Sequence, residues 1–283
     1  MNTGTKQVRQ AWGAGRWFPG DKEELQAAVN GYVRAARPPA VTGRLVAAIS
    51  PHAGYPYSGA VAGYTFRALR DAEVRPETVV ILGFSHRGGF PGVALLDGDV
   101  LRTPLGDAVL DVEATRALAD AGDRIREDAR PHRGEHSAEN QVPFVQAALP
   151  DAKLVIALIG DHREETLDEL VGALGALAER RRILVLASTD LLHDPDYDLV
   201  TRTDRRTLQL ITNLDDGQLL REWDYDRQIC CGIGPVVAAI RFAKSRGEAS
   251  GALLHYRNSG DDHPESRGNW VVGYGAAVFA VSD

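Results

Sequence analysis

The stretch LVAAISPHAGYPYSG, which spans Leu45–Gly59, decides the fold of this chain. It begins with an apolar run, Leu45–Ile49, whose composition is that of a buried strand. Pro51 cannot continue a central strand because proline has no amide N–H, so the chain leaves the sheet there. His52 then follows the strand end, and Ser58 is the predicted N-cap of the next helix. A strand, a polar turn and a helix in this order are typical of an α/β protein.

The same order recurs three times further along the chain. TVVILGFSH ends at His86, KLVIALIGDH ends at His162, and RILVLASTDLLH passes Asp190 and reaches His193. The carboxyl ends of parallel strands meet at one edge of a sheet, and ligands bind there in open α/β folds. We therefore predict a single α/β domain over residues 1–283, with a central, mostly parallel sheet flanked by helices.

Apolar spacing and capping residues place the other elements. After the first strand we expect three more at 78–82, 154–159 and 183–187, and helices starting at Asp21 and covering 58–71, 111–121, 137–149 and 166–180. Two helices are expected within 197–223 and one around Cys231 through Lys244. Asp97-Gly98, between two short apolar runs, predicts a hairpin. The chain should close with two paired strands, GALLHYR and NWVVGYGAAVFAV.

Composition narrows the range of partners. The formal net charge of -7 argues against nucleic acid or an anionic membrane as the main partner. No apolar run approaches the ~20 residues of a membrane span, and the first residues lack the apolar core of a signal peptide. The two cysteines, Cys230 and Cys231, are neighbours and cannot cross-link distant segments. A cytoplasmic protein without structural disulfides is therefore expected.

The histidines at the strand ends predict a metal site. Neutral imidazole is the commonest metal ligand, and two or three such ligands with an open position make a catalytic rather than a structural site. His52 and His86 are the main candidates, and Cys231 is the natural further ligand. Cys231 precedes a predicted helix, whose dipole would lower the pKa of the thiol. A thiolate with two imidazoles suits iron, zinc or copper, so the metal stays open.

Asp190 and His193 follow the fourth strand and have acid–base character. One of them could move a proton to or from a substrate or a bound water. Both could instead orient a ligand through hydrogen bonds, and the sequence does not separate the two roles. His132 and His136 have the i, i+4 spacing of a zinc pair on a helix, but the Arg133-Gly134 turn between them argues against that pairing.

Several segments together resemble the Memo family, whose bacterial and archaeal members are called AmmeMemoRadiSam system protein B. They are AGRWFPG at 14–20, ISPHAGYPYSG at 49–59, ILGFSH at 81–86, EHSAENQVPF at 135–144, STD with His193 at 188–193, CGIGP at 231–235 and VVGYGAA at 271–277. The resemblance implies a fold similar to that of class III extradiol dioxygenases, which are non-haem iron enzymes. It also implies that His52, His86 and Cys231 are metal ligands and that Asp190 and His193 are pocket residues.

Three functions follow as hypotheses. The first is a Memo-like redox enzyme that uses Fe(II), or alternatively zinc or copper, on a small and possibly aromatic substrate. The second is a non-catalytic adaptor, since animal Memo proteins are similar to adaptors that bind phosphorylated peptides; such a module would recognise phosphorylated or acidic peptides. The third is a zinc-dependent hydrolase with the same ligands and a bound water.

Overall fold

The computed structural model describes residues 6–226 and 228–282. Its strands are β1 Val8–Gln10, β2 Arg44–Ser50, β3 Thr78–Phe84, β4 Val93–Leu95, β5 Val100–Thr103, β6 Gly106–Val109, β7 Ile125–Glu127, β8 Lys153–Ile159, β9 Ile183–Ser188, β10 His193–Asp194, β11 Ala249–Asn258 and β12 Val271–Val281. Its helices are α1 Lys22–Ala35, α2 Tyr55–Asp71, α3 Val112–Ala119, α4 Val142–Ala148, α5 Glu164–Ala178, α6 Tyr197–Thr212, α7 Asp216–Glu222, α8 Ile233–Ser245 and α9 Ser259–Asp262.

Nine of these strands form one mixed sheet in the order β10-β12-β2-β9-β3-β8-β4-β7, with β11 paired to β12. The central strands β2, β9, β3 and β8 are parallel. Antiparallel pairing begins on either side, between β12 and β2 and between β4 and β8. The α/β class and its parallel centre are therefore confirmed. The carboxyl ends of β2, β3 and β9 lie side by side, as the strand-end histidines require.

Strand residues alternate between two apolar layers. In β8, Val155, Ala157 and Ile159 pack with α3, α5, α6, α7 and α8, whereas Leu154, Ile156 and Leu158 pack with α1, α2 and α4. This alternation follows from the period of two in a strand, where successive side chains point to opposite faces. Because both faces are buried, the central strands are apolar throughout and stand out in the sequence.

Capping residues explain where several helices begin. Asp21 accepts hydrogen bonds from the amides of Glu23 and Glu24 and so starts α1, as predicted. Asp111 caps α3 and Asp196 caps α6 in the same way. The closing pair β11 and β12 is antiparallel, which also confirms the prediction.

Three local predictions are wrong: the cap of α2, the extent of the helix at 137–149, and the hairpin at Asp97-Gly98. Ser58 does not cap α2, because this helix begins at Tyr55 and its N-cap is Gly54. Ser58 belongs to the first turn of the helix, and its hydroxyl donates to the Ala53 carbonyl. The helix predicted at 137–149 is a 3₁₀ turn followed by the shorter α4.

Asp97-Gly98 does not form a hairpin either. β4 pairs with β8 and β7, while β5 joins a separate three-stranded sheet with β1 and β6. The hairpin is between β5 and β6. A turn signal marks a change of direction and does not say which strands pair. Among the helices that the structure describes, none has the length and apolar character to cross a membrane.

Candidate metal centre

The ends of three strands and the start of α8 bring the predicted ligands together. The rings of His52 and His86 have centroids 5.2 Å apart and are nearly perpendicular. Ligand atoms of His52, His86 and Cys231 all lie within 4.8 Å of one another. His52 and Cys231 are buried, whereas the ring edge of His86 is partly exposed. Residues far apart in the chain thus form one cluster with one open side.

The hydrogen bonds of His52 fix which ring nitrogen is free. The Ser188 hydroxyl donates to the Ser137 carbonyl, so its oxygen accepts from His52 Nδ1 at 3.0 Å. His52 is therefore protonated on Nδ1, and the lone pair of Nε2 points toward Cys231 Sγ at 3.2 Å. Burial and the nearby His86 lower the pKa of His52 well below its usual range, so the ring is neutral. A neutral imidazole with a free Nε2 is the form that binds metal.

His86 is oriented by Glu135 in the same way. The buried Glu135 carboxylate accepts hydrogen bonds from His86 Nδ1 at 2.9 Å and from the His86 amide at 2.7 Å. It also accepts from the amides of His136 and Ser137, both at 2.8 Å. Burial alone would raise the pKa of Glu135. The hydrogen bond and charge of His86, together with the amide donors, outweigh burial and lower this pKa to about 2. The ionised carboxylate leaves His86 Nε2 free to bind a ligand.

Cys231 is held by the loop that carries Asp190. The Asp190 amide donates to Cys231 Sγ at 3.3 Å, and the Cys231 amide donates to the Asp190 carbonyl at 3.2 Å. The sequence-based expectation of a lowered thiol pKa is wrong: burial, together with Asp190 and Cys230, raises the pKa of Cys231 well above its ordinary value. The cause is that Cys231 is fully buried ahead of α8, whose first residue is Ile233. A buried thiol of this kind loses its proton only when a cation replaces it.

The donor set fits a metal ion. Metal–nitrogen bonds of about 2.1 Å and metal–sulfur bonds of about 2.3 Å place ligand atoms about 3–3.6 Å apart. The separation of 3.2 Å between His52 Nε2 and Cys231 Sγ lies in that range. Two nitrogens and one sulfur leave at least one coordination position for a substrate or water. The ligand role of His52, His86 and Cys231 stays a prediction.

A second set of potential ligands, His86, Glu135 and His136, also lies within 4.8 Å. Glu135 already accepts four hydrogen bonds, three of them from backbone amides, so a metal there would displace these donors. His136 instead packs between aromatic rings. It stacks on Trp17 at 3.6 Å and on His86 at 4.6 Å. The first set is therefore the better metal site, and His136 forms a wall beside it.

Asp190 lies next to His52, one of the predicted ligands. Its Oδ1 accepts from the amides of His52 at 2.7 Å and Ala53 at 3.3 Å, and its Oδ2 is 4.0 Å from His52 Nε2. Burial raises the pKa of Asp190 above its ordinary value. The side chain is thus held in place by backbone amides and supports the turn that presents His52.

A cavity of about 710 Å³ opens beside the cluster. Its lining includes His86, Cys231 and His193. The other lining residues are Leu192, Asp194, Leu199, Thr203, Tyr225, Asp226, Gln228 and Trp270. Burial lowers the pKa of His193, so its ring is neutral near pH 7 and can accept a proton. Of the two acid–base candidates, His193 faces the cavity and Asp190 does not line it.

The remaining histidines do not join the cluster. His132 Nε2 contacts the Ala94 carbonyl at 3.0 Å, which agrees with the expectation that it forms no pair with His136. His162 packs on Trp223, His255 stacks on Tyr64, and His263 contacts Tyr57. A histidine after a strand is therefore not sufficient for a site, as His162 demonstrates.

Sequence reasoning missed the residues that orient the predicted ligands. Glu135 and Ser188 were not predicted as site residues, and neither was Gln141, which donates to Ser188 Oγ at 2.8 Å and to the Pro51 carbonyl at 2.9 Å. The available signal was the polar run at 135–141, which has too many hydrogen-bonding groups for an ordinary helix start.

Comparisons with known proteins place the chain in a family. The model of the Memo-like protein family matches residues 9–278. MEMO1 family protein MK0963 of Methanopyrus kandleri is 34% identical over 94% of this chain and 96% of its own length. A MEMO1 family protein of Archaeoglobus fulgidus is 35% identical over 95% and 98%. The crystal structure of the uncharacterized protein JW3007 from Escherichia coli K12 has a similar fold, with a TM-score of 0.50 at 13% identity over 84% of this chain and 100% of that one. The chain therefore belongs to the Memo-like protein family.

Proposed function

We propose that this protein is a metal-dependent redox enzyme that resembles a dioxygenase. It holds ferrous iron through His52, His86 and Cys231 and acts on a small aromatic substrate in the adjoining cavity. The observation that carries this proposal is the juxtaposition of two free imidazole nitrogens and one sulfur within 4.8 Å, beside a cavity that His86 and Cys231 line. When bound, the iron would supply one-electron chemistry toward O₂.

The chain's own residues prepare the site. Glu135 and Ser188 hold the two imidazoles with their Nε2 atoms free, so no reorganisation is needed when the ion arrives. Asp190 holds the turn at His52. His193 is the neutral base at the cavity wall, and we assign it the transfer of a proton from a phenolic hydroxyl.

The cavity lining favours an aromatic ligand. Leu199, Tyr225 and Trp270 are 39%, 74% and 56% exposed, and all three lie around this cavity beside the cluster. Exposed apolar side chains gathered at one concave site are typical of ligand recognition. An aromatic ring can stack on Tyr225 or Trp270.

Within the described part of the lining, the charges do not favour the adaptor hypothesis. Among the described residues that line the cavity, the charged ones are Asp194 and Asp226, both acidic. A phosphorylated or acidic peptide needs arginine or lysine at its anionic group. A small neutral aromatic compound meets no such repulsion.

Metal analysis followed by an oxygen-uptake screen tests the proposal. The protein is purified without added metal, its metal content is measured, and ferrous iron is restored without oxygen. Catechols and phenols are then added and oxygen consumption is followed. The Cys231→Ser variant should lose tight iron binding, whereas His255→Gln should behave as the wild type because His255 stacks on Tyr64 away from the site.

Each outcome separates the hypotheses. One equivalent of iron with substrate-dependent oxygen consumption supports the proposal. One equivalent of zinc with ester or amide hydrolysis would replace it with the hydrolase. A protein that takes up no iron and consumes no oxygen would refute it, and protection of the fold by phosphorylated peptides but not by metal would favour the adaptor.

A further inference from the structure

Asp204 is a fully buried carboxyl group that the proposed chemistry does not use. It lies on α6, and within the described part of the chain its carboxyl group is bound by an amide and a phenol rather than by a cation. Its Oδ1 accepts from the Leu192 amide at 3.1 Å, and its Oδ2 accepts from the Tyr256 hydroxyl at 2.8 Å. A buried carboxyl without a cationic partner is costly, so its position calls for a reason.

The carboxyl group packs directly on the backbone of β12. A Cβ atom added at Gly273 would lie 1.9 Å from Asp204 Oδ2, so only glycine leaves room there. The same glycine pairs with the turn that leads to His193. The Leu191 amide donates to the Gly273 carbonyl at 2.8 Å, and the Gly273 amide donates to the Leu192 carbonyl at 3.1 Å.

The turn and α6 form two walls of the same cavity. His193 and Leu192 line it from the turn, and Leu199 and Thr203 line it from α6. Asp204 joins these walls, because it belongs to the helix and binds the amide of Leu192, next to His193. This bond adds a contact with α6 to the pairing of the turn with β12 and to its bridge with Cys230.

We propose that Asp204 is a positioning residue that fixes the His193 imidazole at the wall of the cavity. The burial of its carboxyl group, the bond to Leu192 and the close approach of Gly273 together set the distance between the turn and α6. The inference rests on the proposed function only in treating this cavity as the substrate site. Burial raises the pKa of Asp204 to about 7, which agrees with a carboxyl group placed for its geometry and not for an ion pair.

The test compares variants of the full chain by NMR of the histidine rings. The His193 signals are assigned with a His193→Gln variant and recorded without added metal and again with zinc. Asp204→Ala removes the acceptor of the Leu192 amide. Asp204→Asn keeps a carbonyl oxygen at that place. Thr207→Val is the matched control, because Thr207 is also buried on α6 and its hydroxyl bonds within the helix, to the Thr203 carbonyl.

We expect Asp204→Ala to displace the His193 signals from their wild-type positions by more than their width. In Asp204→Asn and in Thr207→Val, these signals should keep their wild-type positions. The affinity of the iron-loaded protein for 4-nitrocatechol should fall about tenfold in Asp204→Ala, a loss typical of removing an outer hydrogen-bond partner. Iron affinity should stay constant, because Asp204 bonds to Leu192 and Tyr256 and not to a predicted metal ligand. If the alanine variant does not fold, Asp204→Ser gives the same readout, since its hydroxyl is too short to reach the Leu192 amide.

Unchanged His193 signals in a folded Asp204→Ala or Asp204→Ser variant would overturn the proposal. Equal displacement in Thr207→Val would also overturn it, since loss of helix stability would then be the cause. The ring signals do not depend on iron. A protein that binds no iron would therefore refute the proposed function and leave the role of Asp204 to be decided by the NMR result.

Discussion

Replacing Glu135 with glutamine should destabilise the protein and weaken its metal binding. The carboxylate Oε1 accepts from His86 Nδ1 and from the amides of His136 and Ser137, and Oε2 accepts from the His86 amide. Glutamine with its carbonyl at the Oε1 position keeps three of these bonds but removes the charge. Its NH₂ group then faces the His86 amide across a separation of 2.7 Å, where two donors meet.

The expected loss can be estimated from these contacts. Hydrogen bonds to a charged acceptor contribute about 1.5–3 kcal/mol and those to a neutral one about 0.5–1.5 kcal/mol, and a buried unsatisfied amide costs about 1–3 kcal/mol. Water reaches the partly exposed side of His86 and relieves part of this cost. We therefore expect Glu135→Gln to lower the free energy of unfolding by about 2–4 kcal/mol. Iron or zinc affinity should fall about 10- to 100-fold because His86 loses its fixed orientation.

Urea unfolding of the metal-free protein and competition with a chelator measure the two effects. Glu248→Gln is the control, because the Glu248 side chain is exposed and makes no hydrogen bond or ion pair within the described part of the chain. It changes the net charge by the same amount and should leave both measurements at the wild-type values. A Glu135→Gln variant with wild-type stability and wild-type metal affinity would show that the reasoning about His86 is wrong.

Three further predictions follow. Metal affinity should rise about tenfold per pH unit from about pH 7 to 8.5, because burial raises the pKa of the Cys231 thiol and binding displaces its proton; chelator competition in Cys231→Ser should show a flatter dependence. Gly63→Ala should lower the free energy of unfolding in urea by about 1–3 kcal/mol, since the added Cβ would lie 2.6 Å from the Tyr32 carbonyl oxygen. Gly31→Ala, in open space on α1, should instead raise it by about 0.5–1 kcal/mol. Trp270→Ala should lower catechol affinity about two- to tenfold and leave metal affinity unchanged.

The central strands could be predicted because burial on both faces makes them apolar throughout. β2, β3, β8 and β9 lie within one or two residues of their predicted bounds. The short strands could not be predicted in this way. β1 has three residues and pairs with β5, which lies about ninety positions further along the chain, so its pairing is decided by tertiary contacts.

The cluster of predicted ligands could be anticipated because parallel strands bring their ends to one edge. The orientation of these side chains could not be anticipated. Glu135 binds His86 across 49 positions, and it lies in a segment without strand or helix periodicity. The pKa of Cys231 was predicted in the wrong direction because the helix dipole was visible in the sequence, whereas burial, which dominates, was not.

Cys231 and Asp190 depend on each other for their positions. An isolated bridge joins Leu191 to Cys230, so the strand-end loop and the start of α8 meet through backbone pairing at this point. The Asp190 amide donates to the Cys231 sulfur, and the Cys231 amide donates to the Asp190 carbonyl. A displacement of α8 therefore moves the Cys231 sulfur and the turn leading to His193 together. Cys231 is thus positioned by the segment that carries Asp190 and His193. Metal binding at its sulfur should therefore also rigidify the wall of the cavity where the substrate is expected.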